Sequence, residues 1–282
     1  MEAERTEPRR PPICTARRPW HRLRNEASEE HGIATRGEAE PPAARFEDIG
    51  GAVSVEPMTA PETRILLVRH GQSEWNLTGR WQGQTDPPLT DLGRAQARSA
   101  ARSLGTVDAI WSSDLQRAAE TATIISGELG VGPVVLDPDL RERNAGEWQG
   151  LTRAQIDEQY PGYLEPLPDT SGEGWMPQHP PGWEPDDELA VRMRRALLRV
   201  RQEVGPGEVL VIAHAGLLYM TERALGADGD RLGNLDGRWL SITDPAPNHN
   251  GAPGPFGLAD IARLGDRLSL LPDDQVTIPG QI

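Results

Sequence analysis

From about residue 62 onward the chain alternates short, wholly apolar runs with amphipathic stretches of helical period. Ile65-Leu66-Leu67-Val68 and Val209-Leu210-Val211-Ile212-Ala213 read as strands buried on both faces of a parallel sheet. Ala109–Ser112, Val134–Leu136 and Arg238–Thr243 read as further strands, and Ile261–Leu270 as one or two short ones. Thr90 is expected to cap a helix through about Leu104, stopped by Gly105. Ser113 with Gln116 predicts a capping box for a helix to about Ser126, and Thr152 with Gln155 a short helix ending near Tyr160-Pro161. Asp186 opens an amphipathic helix to about Val204, with Leu189, Met193, Ala196, Leu197 and Val200 on one side, and Leu217–Leu225 predicts the last helix. The polar, tryptophan-containing stretch 72–88 has no period of its own, and the Pro-, Gly- and Trp-rich stretch 161–185 reads as a lid or insertion. The alternation predicts an α/β fold, a three-layer αβα sandwich with a mostly parallel central sheet, over residues 61–282.

Residues 1–60 show no sustained period and are rich in Arg, Glu, Pro and Ala, as expected of a disordered N-terminal extension. Met58 directly precedes Thr59-Ala60-Pro61 and the first strand and reads as the natural start; the intact mass of the native protein tests this. A net charge of −14 and a pI near 4.9 argue against nucleic acid and anionic membrane as partners. All 29 basic residues are arginines, so lysine Schiff bases and lysine-dependent Walker phosphate sites are excluded. The single cysteine, Cys14, lies in the polar N-terminal region and leaves the body without a disulfide framework or a thiol nucleophile. No apolar run approaches the roughly 18 residues of a membrane span. These features suit a cytoplasmic location. A homodimer is compatible with them.

Both long apolar runs end in a histidine, in Arg69-His70-Gly71 and in His214-Ala215-Gly216. In open α/β sheets ligands bind beyond the carboxyl ends of the strands, so both imidazoles fall where chemistry is expected. Arg117 lies one turn into the helix that Ser113 is expected to open, near its positive end, where guanidinium and helix dipole act together on an anion. Arg69, His70, Arg117 and His214 thus offer two forked cations and two imidazoles to a phosphate, with a neutral imidazole as a nucleophile toward phosphorus. Glu142, in Leu140-Arg141-Glu142 after the strand at 134–136, is the candidate general acid for expelling an alkoxide. Taken singly, each of these residues also has an ordinary structural reading; the ordered set carries the inference. Trp75 and Trp81 read equally well as pocket walls or as loop packing.

The set resembles the histidine phosphatase superfamily, also called phosphoglycerate-mutase-like. The resemblance runs from about Arg64 to Leu271. It is carried by Arg69-His70-Gly71-Gln72-Ser73-Glu74-Trp75-Asn76, by Gly79-Arg80-Trp81-Gln82-Gly83 and by Leu89-Thr90-Asp91-Leu92-Gly93. Ser112-Ser113-Asp114-Leu115-Gln116-Arg117, Leu140-Arg141-Glu142, Gly146-Glu147-Trp148-Gln149-Gly150 and Ala213-His214-Ala215-Gly216 complete it. The resemblance implies that His70 is the phosphorylated nucleophile and Glu142 the proton donor, with Arg69, Arg117 and His214 completing the phosphate pocket. Asn76, Gln82, Gly83 and Ala215 fall where members contact the substrate or its phosphate. It implies no metal and no organic cofactor, and a small phosphomonoester as the partner. Trp148–Asp157, Trp81–Asp86 and Gly233-Asn234 are similar to the glucosyl-3-phosphoglycerate phosphatases of actinobacteria, while Pro180–Pro185 departs from the Gly-Gly-Glu-Ser turn usual there. A phosphoglycerate mutase is the alternative with the same residues, and a phosphate- or protein-binding module without catalysis is a second.

Overall fold

A computed structural model describes residues 62–165, 178–227, 231–242 and 261–277. The expected N-terminal extension, with Cys14 and the Met58 start, lies outside the described residues, as does the middle of the expected lid. The strands are β1 (Thr63–Arg69), β2 (Ala109–Ser112), β3 (Val135–Leu136), β4 (Gly207–Ala213), β5 (Asp236–Ile242) and β6 (Ile261–Ser269). The helices are α1 (Glu74–Leu77), α2 (Asp91–Ser103), α3 (Gln116–Leu129), α4 (Arg153–Gln159), α5 (Asp186–Val204) and α6 (Ala215–Ala224).

The six strands form one sheet in the order β3-β2-β4-β1-β5-β6. β1 and β2 both run parallel to β4, and β3 runs parallel to β2. β5 runs antiparallel to its neighbours β1 and β6. Because β1 and β4 sit centrally, both of their faces are covered, which is why their sequences read as unbroken apolar runs. Ile65, Leu67, Val209 and Val211 pack with Leu189, Met193, Leu197 and Val200 of α5 and with Leu217 and Leu218 of α6. Leu66, Val68, Leu210 and Ile212 face the other way, onto Ala97, Ala100 and Ala101 of α2 and Ala118, Ala122 and Ile125 of α3. Three layers result. The small residues on α2 and α3 bring those helices close to the sheet and to each other.

Four local expectations are corrected. The stretch 72–88 contains a one-turn helix, α1, because Ser73 and Asn76 form a capping box. Ser113 and Gln116 form none: the Ser113 hydroxyl accepts from Leu115 N at 3.2 Å. The helix starts at Gln116, whose N–H donates at 2.6 Å to Asp86 from a distant loop, a partner that local spacing cannot reveal. The same helix passes Ser126 and ends at Gly130, whose φ of 68° makes the left-handed stop. The last helix starts at Ala215, directly after His214.

A third, smaller apolar cluster lies in the loops. Trp148, Ile156 and Leu164 form it, with Trp81, Leu151, Tyr160, Tyr163 and Trp183 packed against them. The indoles of Trp81 and Trp183 approach that of Trp148 with ring centroids 5.1 and 5.6 Å apart, in T-shaped contacts.

Candidate active site

Parallel pairing of β1 with β4 places Arg69 opposite Ala213, so the residues that follow leave the sheet side by side. His70 N donates to Ala213 O at 3.1 Å, and the His70 and His214 rings stand 5.2 Å apart, edge to face. The turn after β1 rests directly on α2. A Cβ on Gly71 would lie 2.7 Å from Gly93 O, and one on Gly93 would lie 2.1 Å from Gln72 O. Neither glycine tolerates a side chain. Thr121 on α3 completes the seat, accepting from Gly71 N at 3.1 Å and donating to Arg117 O at 2.7 Å.

The buried His70 ring is oriented at both nitrogens. Nδ1 faces Gly71 O at 2.6 Å, and a carbonyl only accepts, so Nδ1 carries the proton. Nε2 then keeps its lone pair and accepts from Arg117 Nε at 3.2 Å. Burial first, then the charges of Arg117 and Arg69, holds the His70 pKa well below the ordinary imidazole value. His214 is depressed likewise, by burial and then by Arg117. Both imidazoles are therefore neutral at pH 7.

The two arginines are fixed by backbone carbonyls. Arg117 is fully buried and donates to Thr85 O at 2.8 Å and Gly83 O at 2.9 Å. Burial lowers its pKa to about 10, against the pull of Glu142 and Asp86, which leaves it charged at neutral pH. Arg69 donates through Nη1 to Leu232 O at 2.6 Å, and burial lowers its pKa as well. Arg69 Nε and both ring nitrogens of His214 are buried without a hydrogen-bond partner among the described residues. Unpaired buried polar groups are costly. Clustered beside a charged arginine, they suit an anion with several acceptor oxygens.

Glu142 reaches this group from the loop after β3. Its carboxylate accepts from Gly216 N at 3.1 and 3.2 Å and from Arg143 N at 2.7 Å, at the start of α6 just beyond His214. Its charge is felt by both Arg69 and Arg117. Gly216 is the close approach here: a Cβ on it would stand 2.3 Å from Glu142 Oε1.

The structure brings Arg69, His70, Arg117, His214 and Glu142 into one place. The other residues named from the sequence lie around them. Gln82, buried, accepts from Ser73 Oγ at 2.7 Å, and Asn76, also buried, accepts from Ser73 N at 3.2 Å. Gly83 contributes its carbonyl to Arg117, and the buried Ala215 opens α6. Trp81 belongs to the loop cluster with Trp148 and Trp183, which fits its packing role. Trp75 lies 3.4 Å from the position a Gly150 Cβ would occupy.

One important residue was missed in the sequence. Arg192 on α5 grips the Glu142 loop by donating to Asp139 O at 2.9 Å, to Arg141 O and to Glu142 O at 2.9 Å. It also pairs with Glu184 through Nε and Nη2, at 2.5 and 2.8 Å. Arginine at a half-buried helix position carries no local signal of this kind. Its partners are backbone atoms about fifty positions away.

Among the described residues, no three or more His, Cys, Asp or Glu side chains are grouped to hold a metal, and no helix is long and apolar enough to cross a membrane.

The sequence description of the histidine phosphatase superfamily (branch 1) matches residues 65–251, well over half of the chain. The chain belongs to that superfamily and is a phosphatase of that class. Glucosyl-3-phosphoglycerate phosphatase of Mycobacterium tuberculosis is 38% identical over 172 residues, spanning 57% of this chain and 74% of that protein. Its counterpart in Mycolicibacterium vanbaalenii is 35% identical, over 70% of this chain and 90% of its own length. Metal-independent phosphoserine phosphatase of Arabidopsis thaliana is 36% identical, over 55% of this chain and 66% of that one. The solved structure of a mycobacterial glucosyl-3-phosphoglycerate phosphatase in complex with VO3 is similar, with a TM-score of 0.56 and 30% identity. The match covers 73% of this chain and 98% of that one.

Proposed function

We propose that the protein hydrolyses the phosphomonoester of a small phosphorylated metabolite through a phosphohistidine on His70 Nε2. One observation carries the reading: a neutral imidazole presents its Nε2 lone pair within 3.2 Å of a buried, charged arginine, beside the unpartnered buried Nε–H of Arg69 and the unpartnered ring of His214. In the first step the Nε2 lone pair forms the N–P bond while the P–O ester bond breaks. The departing alkoxide takes a proton from the Glu142 carboxyl. In the second step Glu142, now ionised, accepts a proton from water as the water oxygen bonds to phosphorus. The P–N bond then breaks and its electron pair returns to Nε2, releasing inorganic phosphate. Arg69, Arg117 and His214 hold the non-bridging oxygens throughout, so that charge stabilisation comes from groups already in place.

The named relatives support glucosyl-3-phosphoglycerate as the first substrate to assay and phosphoserine as the second. A phosphoglycerate mutase would use the same residues and return the phosphoryl group to substrate. The stretch 161–185 contains no arginine with which to hold a bisphosphate, which favours hydrolysis. Phosphorylated metabolites of this kind are retained inside cells, and we assign the protein to the cytoplasm.

The test is phosphate release from a phosphomonoester panel in excess chelator, with isomerised phosphoglycerate followed in parallel. Chelator-resistant release, greatest on one sugar-phosphate or phosphoglycerate derivative, is the expected result. Isomerisation with little free phosphate would replace this reading with the mutase, and binding without turnover would replace it with the non-catalytic module.

A further inference from the structure

Beside the end of β1 lies a short turn, Leu232–Leu235, that leads into β5 and that the proposed chemistry does not use. It touches the site at four points. Leu232 O accepts from Arg69 Nη1 at 2.6 Å, and Leu235 N donates to Arg69 O at 3.1 Å. Between them, Asn234 Nδ2 donates to His70 O at 3.0 Å and to Asn76 Oδ1 at 3.2 Å. The turn is held from behind as well. Leu232 N donates to the Tyr219 hydroxyl at 2.7 Å and Gly233 N to Asp236 Oδ2 at 2.6 Å, while Thr277 Oγ1 donates to Asn234 Oδ1 at 2.9 Å.

Two features indicate that this geometry is imposed by its surroundings. Leu235 has φ of 62°, in the left-handed region that a branched side chain rarely adopts, and it is fully buried. Asn234 is fully buried too, with partners at both ends of its amide. Only an amide of this length offers two N–H donors on one side and an acceptor on the other. Aspartate would set a third acceptor against two acceptors already present, and leucine would satisfy neither.

We propose that Asn234 is a positioning residue for the nucleophile, fixing the His70 carbonyl and the Asn76 amide from a turn anchored through Thr277. The inference rests on the phosphohistidine reading above. The His70 ring takes its orientation from Gly71 O, which is joined through the Gly71 Cα to the His70–Gly71 peptide, so the placing of that peptide sets the direction of Nε2. Asn234 holds one end of that peptide, and the Gly71–Gly93 contact holds the other. Asn76 Oδ1, receiving Ser73 N and Asn234 Nδ2, is committed to the scaffold side. Because the Asn234 side chain bonds to His70, Asn76 and Thr277 rather than to Arg69 or Arg117, its loss is expected to spoil the line of attack more than the affinity for phosphate.

The experiment compares Asn234→Ala, Asn234→Ser and Thr277→Val with the natural chain, after melting curves establish that each folds. Rapid-quench phosphoenzyme formation and inhibition by inorganic phosphate are measured on each. The 15N shifts of the His70 ring supply a readout that needs no turnover. Asn234→Ala is expected to slow phosphoenzyme formation about 10²-fold, the scale of an ångström-level misplacement. Phosphate inhibition should stay within about threefold of the natural chain on the same reasoning. Asn234→Ser and Thr277→Val, which loosen the contact without abolishing it, fall between. Natural rates in a folded Asn234 variant, or equal losses in rate and phosphate affinity, would overturn the proposal. If the natural chain forms no phosphohistidine, the chemistry has failed on its own account. The ring shifts then decide: a His70 spectrum unaltered in the folded Asn234 variants would overturn the positioning role.

Discussion

At the scale of single residues the account turns on the state of two imidazoles. His70 has to be neutral to attack, and burial with Arg117 beside it holds the proton off Nε2. Replacing His70 by alanine is expected to abolish turnover while moving the unfolding midpoint by only a few degrees, because the ring's partners are a backbone carbonyl and a cation rather than the apolar core. Near-natural activity in that variant would refute the nucleophile assignment. The same depressed values make a stability prediction whose sign is fixed. Below the ordinary imidazole value of about 6.5 the unfolded chain takes up protons at both positions while the folded protein does not, so stability falls as pH drops through that range. Inorganic phosphate, which favours a protonated His214, should offset the fall. Melting curves from about pH 7.5 to 5.5, with and without phosphate, measure both effects. A His214→Ala variant is expected to lose less on acidification than the natural chain. For Glu142, exchange to glutamine should cost about 10²- to 10⁴-fold on alkyl phosphates, the usual worth of a placed general acid, and much less on an aryl phosphate whose leaving group needs no proton.

At the scale of elements, the site is built where backbones touch. Gly93 at the start of α2 meets Gln72 O so closely that Gly93→Ala must push α2 off the turn carrying His70. A loss of about 1–3 kcal/mol in stability is expected, comparable to overpacking a core, together with a fall in kcat. Gly216→Ala strikes Glu142 instead, and should lower kcat with little change in stability. Arg192→Ala removes the donors that hold the Glu142 loop and leaves the largely buried Glu184 without its cation, with Asn144 N still donating to it, for an expected cost of about 3 kcal/mol. Chemical denaturation and steady-state kinetics on the three variants separate these outcomes: α2 reports in both measurements, Gly216 in kcat alone and Arg192 chiefly in stability. Legibility from sequence also divides at this scale. β1, β4, α2, α4 and α5 were readable because apolar period and capping residues are local signals. The start of α3 was not, because Asp86 supplies its cap from another loop. Arg192 and Asn234 were not readable as working parts either, since each acts on backbone atoms distant in sequence.

At the scale of the whole molecule, strand order does the assembling. β4 and β1 lie side by side at the centre of the sheet and deliver His214 and His70 to one edge, although some 140 positions separate them. β2 then sets α3 so that Arg117 points back toward His70, and the loop after β3 returns Glu142 to the start of α6. The five residues that carry the proposed chemistry therefore lie at or after the ends of four different strands. They could be named from sequence because each follows an apolar run, while their mutual geometry required the topology. The aromatic cluster of Trp81, Trp148 and Trp183 joins the loop next to Gln82 and Gly83 to the segment after Glu142. Trp148→Ala is accordingly expected to cost about 3–5 kcal/mol, the usual range for a fully buried large aromatic, and to disturb substrate affinity through both loops.

The central claim is the covalent intermediate, and it is tested most directly by quenching the enzyme during turnover of a labelled phosphomonoester in excess chelator and mapping the label. The account predicts an acid-labile, alkali-stable phosphoryl group on the peptide bearing His70, absent from His70→Ala and accumulating in Glu142→Gln with an aryl phosphate. Full turnover with no label on His70 at any quench time would contradict it.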